Sequence, residues 1–207
     1  MAVANYHEAH GNYPPAYIVG PDGRPWHSWR VLILPFLEED KLFKEYNFSE
    51  PWDGPNNRKL ADRMPRTFAF TGARRPGNTT ANYLAVVGPE TVWPGAATVT
   101  TADITDASSQ TILLVESQDT GIHWMEPRDL SFADMDFRIN NPGSITSPYT
   151  DPAVVMLDCS VKRLLPGLQP DTLRALFTIR GGESLDSNSS GGWTLLPDGR
   201  QRQLRQP

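Results

Sequence analysis

The spacing of apolar and polar residues changes along this chain. Residues 1 to about 11 are helix-forming, with Ala2, Ala4, Glu8 and Ala9 followed by Gly11 as a stop. A helix this short is marginal by itself, so it is expected to be the end of a longer one. Tyr13 to Tyr17 and the turn residues Pro21-Asp22-Gly23 predict a short extended or hairpin element. Ser28 is placed to cap a helix carrying Val31, Leu32 and Leu34, which Pro35 is expected to break. A second amphipathic segment runs from about Glu38 to Tyr46, with Leu42, Phe43 and Tyr46 on one face. Asn56 or Asn57 is a candidate cap for a short helix ending near Met64-Pro65.

Further on the pattern turns to strands. Tyr83 to Val87 and Thr111 to Glu116 are β-rich runs bounded by Gly, Asp and Ser, separated by a Thr- and Ala-rich surface loop. Ala153 to Leu157 and Val161 to Leu165 flank Asp158-Cys159-Ser160 and predict a hairpin. Pro170 to Arg180 predicts a helix with Leu173, Leu176 and Phe177 inward and Gly181-Gly182 as its end. Ser187 to Gly192 has the composition of a flexible linker, and Arg200 to Pro207 that of a polar tail. The expected class is α+β: short helices, an antiparallel sheet, a globular domain over residues 1–183 and a linker with tail over 184–207.

Composition narrows the function more than it names one. The chain has 207 residues, enough for one domain with its own core. Its net charge of -5 makes a nucleic-acid partner unexpected, since such binders carry a basic face. One cysteine, Cys159, excludes an intramolecular disulfide and any multi-cysteine zinc site. No apolar stretch approaches the roughly 20 residues that span a bilayer, and no signal peptide is legible at the start.

Candidate chemistry is sparse. The sequence holds no Gly-rich phosphate loop, no G-x-S-x-G and no H-E-x-x-H. His7 and His10 share a helix face and can hold a metal with a third ligand; a polar face is the plainer reading. Glu116, Asp119, Glu126, Asp129, Asp134 and Asp136 supply oxygen ligands for calcium, but without a calcium-loop spacing they read as a solvated acidic surface. No cofactor, metal site or catalytic residue is expected, and the chain is read as non-enzymatic. The tryptophans sit in turns and at element ends, which can build an aromatic-lined ligand pocket from His27, Trp29, Trp52, Trp124, Glu126 and Arg128. The competing reading is that these rings cover the core of a loop-rich domain.

Several segments in order resemble a bacterial family of pseudopilin-like proteins, catalogued as a domain of unknown function and also as a solute-binding or transporter family. They include Asn5 to Pro15, His27 to Glu38, Glu50 to Asn57, Tyr83 to Gly88, Ser108 to Glu116, Trp124 to Leu130 and Pro170 to Glu183. The resemblance implies a type IV pilin-like or type II secretion-like head domain below an N-terminal membrane-anchoring helix absent from this sequence. It implies a cell-envelope location facing the periplasm or exterior, with envelope or pilin-like subunits as partners. A small-molecule ligand is the alternative. The family also carries a His, nine residues, then Asp-Gly; here these positions hold Pro148, Asp158 and Cys159. A turn at Asp158-Cys159 that needs φ > 0 would strain the cysteine where glycine is at ease.

Overall fold

The computed structural model describes residues 1–73, 75, 77–187 and 193–196. The expected linker core at 188–192 and the polar tail at 200–207 lie outside the described residues. The fold is α+β. Helix α1 (Ala2–His10) ends on Gly11 in the left-handed conformation, φ 76°. A hairpin of β1 (Tyr17–Val19) and β2 (Pro25–Ser28) follows, turning through Pro21-Asp22-Gly23. Ser28 then caps α2 (Trp29–Leu32), its hydroxyl accepting the Arg30 N–H.

Pro35 does not end the helical course. It sits near the start of a tight turn at Leu34–Leu37, where its missing N–H costs nothing. Glu38, at φ 62°, makes the break, and α3 (Asp40–Glu45) follows with Leu42 and Tyr46 buried. Asn57 does not cap a helix through its side chain. Fully buried, it donates to the carbonyls of Asn47 and Pro51 and accepts the Asn47 N–H, stapling the loop to itself.

A four-stranded antiparallel sheet fills the centre in the order β3–β5–β7–β8: β3 (Tyr83–Leu84), β5 (Ile112–Glu116), β7 (Ala153–Met156) and β8 (Val161–Arg163). The run at 83–87 is divided. At Ala85 the chain leaves β5, and β4 (Val86–Val87) pairs in parallel with β6 (Leu130–Ser131). The Ala85 N–H is taken by the Asp129 carboxylate at 2.8 Å, so a side chain replaces a ladder bond at the point of exchange. Strand β5 bulges between Ile112 and Leu114, and the Leu113 carbonyl accepts the Trp93 indole N–H at 2.7 Å.

The β7–β8 hairpin turns through Cys159 at φ 66°. Helix α4 (Pro170–Ala175) is shorter than its sequence suggests, but Leu173, Leu176 and Phe177 are buried as expected. Structure continues past residue 183. Strand β9 (Leu185–Ser187) pairs with β10 (Trp193–Leu195), Trp193 is buried, and the Gln110 amide donates to the Leu185 carbonyl.

Candidate functional site

Ser28, by ending β2 and capping α2, fixes where Trp29 and Arg30 point. The Arg30 side chain is fully buried against Asp129, whose side chain is 2% exposed. Asp129 also accepts the Trp29 indole N–H at 3.1 Å and the Ala85 N–H, while Arg30 donates a further bond to the Ser28 hydroxyl at 2.9 Å. The guanidinium carbon lies 4.8 Å from the Trp29 ring centroid. Burial pushes the Asp129 carboxyl above the usual carboxylate range, opposed by Arg30, the Ala85 N–H and the Trp29 indole. Both side chains are sealed from solvent within the core, so the pair organises the fold.

The six predicted pocket residues divide among three places. Trp29 belongs to this buried pair. His27, 2% exposed, meets the Tyr46 hydroxyl at 2.9 Å and packs edge-on against Tyr46 and Phe48. Burial lowers its pKa, partly offset by a backbone hydrogen bond at Phe48.

Trp52, Trp124, Glu126 and Arg128 are drawn together around His123. Trp52 tilts over the His123 ring at 5.2 Å, and the fully buried Trp124 donates its indole N–H to the Ala61 carbonyl. Glu126 accepts the His123 backbone N–H and pairs with Arg128. His123 Nδ1 accepts the Met125 N–H, which leaves the proton on Nε2 in the neutral ring. Burial holds the His123 pKa down, against Glu126, the Ala61 backbone and Asp62.

The other candidates are engaged separately. His7 meets the Thr101 hydroxyl and stacks on Tyr13, whereas His10 stacks on Tyr6. Among the described residues no group of three or more His, Cys, Asp or Glu could hold a metal ion. Glu116 accepts the Ala153 N–H, and Asp136 accepts from Asn141. Pro148 and Asp158 flank β7 at opposite ends. The first lines a cavity with Gln118 and Asp119; the second holds the hairpin turn through Ser160.

Sequence reasoning missed an apolar groove of about 300 Å³ between the start of α1 and the outer sheet face. Leu114 pairs with Val155, and Val155 with Val161, so these side chains share that face. Met1 is 81% exposed and Val161 66%. In β7, Val154 and Met156 are buried while Ala153 and Val155 are half-buried, but the sequence is apolar throughout this run, so no alternation marked the face. Among the described residues no helix is long and apolar enough to cross a membrane.

Residues 1–87, from α1 through β4, match the family described as a protein of unknown function (DUF1559). No curated protein and no solved structure matches the chain.

Proposed function

We propose that this chain is a non-enzymatic interaction domain that docks other subunits of a bacterial envelope assembly, in the manner of a pseudopilin-like head. The observation that carries this reading is the apolar groove beside α1. Contiguous apolar surface open to water, here the groove with Leu114, Val155 and the exposed Val161 along it, marks a surface that another chain covers. The neighbouring edge is guarded: Lys162 and Arg163 on β8 discourage strand-to-strand association, leaving the face as the docking surface. The ordered resemblance to pseudopilin-like proteins suggests the envelope context; the match over residues 1–87 is to a family of unknown function and is compatible with it.

A solute module built on His27, Trp29, Trp52, Trp124, Glu126 and Arg128 is less favoured, because Trp29 and Trp124 are committed to the core. A photo-crosslinking residue at position 161 in native cells provides the test. Crosslinks to envelope proteins, reduced by Leu114→Lys, are expected. Crosslinks confined to cytosolic enzymes, or none from a folded chain, would sink the proposal.

A further inference from the structure

We propose that a second site, the cleft between α4 and the loop following β4, binds a free amino acid in its zwitterionic form. The cleft has a volume of about 470 Å³, within the range of small-molecule pockets. Arg174 projects onto its wall from the last turn of α4. Its guanidinium carbon lies 4.6 Å from the Phe132 ring centroid and 5.3 Å from that of Phe137. The two rings meet edge-on at 70°, and cation–π contact with both restrains the guanidinium before any ligand arrives. No ion pair of Arg174 occurs among the described residues. A rigid, exposed fork of N–H donors is suited to a carboxylate.

The other charges choose between anions. Arg180 is engaged with Asp103, donating to its carbonyl at 2.5 Å and its carboxylate at 2.6 Å. That leaves Arg174 facing a cleft that also contains Glu90 and Glu183. A phosphate dianion would meet two carboxylates for one free guanidinium. A zwitterion balances: its carboxylate takes Arg174, and its ammonium takes an acid.

Glu183 is positioned for that second role. Its carboxylate lies over Gly181, where a Cβ would fall 1.8 Å from Oε2, and the Thr178 hydroxyl is 3.4 Å away. Pro89, Pro94 and Val99 add apolar wall for an aliphatic or proline side chain.

Calorimetry on the full chain with L-leucine, L-proline and L-phenylalanine at millimolar concentration is the test. At least one is expected to bind. For that ligand, the amine lacking the carboxylate and the N-acetyl derivative should each bind about tenfold more weakly, the scale of one charge-assisted hydrogen bond. Arg174→Gln should weaken binding similarly. Because that change also removes the cation–π contacts with Phe132 and Phe137, Glu183→Gln is the companion variant. It should bring the N-acetyl derivative level with the free amino acid, with no change in thermal midpoint. Absence of binding by all three amino acids, phosphate binding as tight as theirs, or indifference to loss of the carboxylate would each overturn the assignment.

Discussion

Cys159 occupies a backbone conformation that glycine adopts freely and an L side chain does not. The residue is left-handed, φ 66°, and its N–H closes the turn on the Met156 carbonyl. Cys159→Gly is expected to stabilise the chain by about 1 kcal/mol, despite glycine's greater unfolded entropy. A lower urea midpoint in the variant would contradict this. The Asp-Cys-Ser spacing between two apolar runs made this turn legible, because the needed information is local. The Arg30–Asp129 pair was not: Asp129 is one acid among many in the sequence, and its partner lies 99 positions away. Asp129→Ala should cost about 3–5 kcal/mol by leaving a buried guanidinium uncompensated. Replacing both partners, as Arg30→Met with Asp129→Leu, should recover much of that loss in urea melts.

The two inward-turned histidines give a pH dependence at the same scale. His27 and His123 both have folded-state pKa values lowered by burial, so the unfolded chain takes up protons first. Their contribution is fully present above about pH 6.5 and is lost as pH falls below it. The urea midpoint should therefore drop between neutral and mildly acidic pH, and His27→Gln with His123→Gln should flatten that slope. Asp103 and Asp158, held low by hydrogen bonds from Thr100 and Ser160 respectively, add destabilisation only in more acidic solution.

Elements were legible where one periodicity ran uninterrupted. The helix over Ala2–His10, the hairpin around Cys159 and the inward face of α4 follow from spacing and turn residues alone. The exchange of partners at Ala85 was illegible, because Tyr83 to Val87 reads as one strand and the interruption comes from a distant carboxylate. The docking face was hidden for a related reason: Leu114, Val155 and Val161 become neighbours only when three strands register. Val161→Lys on this solvent-exposed edge should leave the thermal midpoint nearly unchanged while weakening capture of the groove's partner about tenfold, in the range expected for an interface hot spot.

Over the whole molecule, the family match stops at residue 87 but the fold does not. Among the described residues, strands β3 and β4 pair with β5 and β6, both supplied by later sequence, and Val87 also bridges Trp93. A peptide of residues 1–87 should therefore lack near-ultraviolet circular dichroism alone and gain it on mixing with residues 88–207. Independent folding of the first peptide would show that its strands can find other partners.

The buried Arg30–Asp129 pair also imposes an order in time. During synthesis Arg30 precedes the group that neutralises it by 99 residues, which at about 5–20 residues per second is roughly 5–20 s. Throughout that interval α2 cannot bury its inward face without stranding a charge. The nascent first half is expected to stay open, exposing Trp29 and its apolar neighbours to whatever chaperones attend the ribosome, until Asp129 and then the later core residues through Phe177 have emerged.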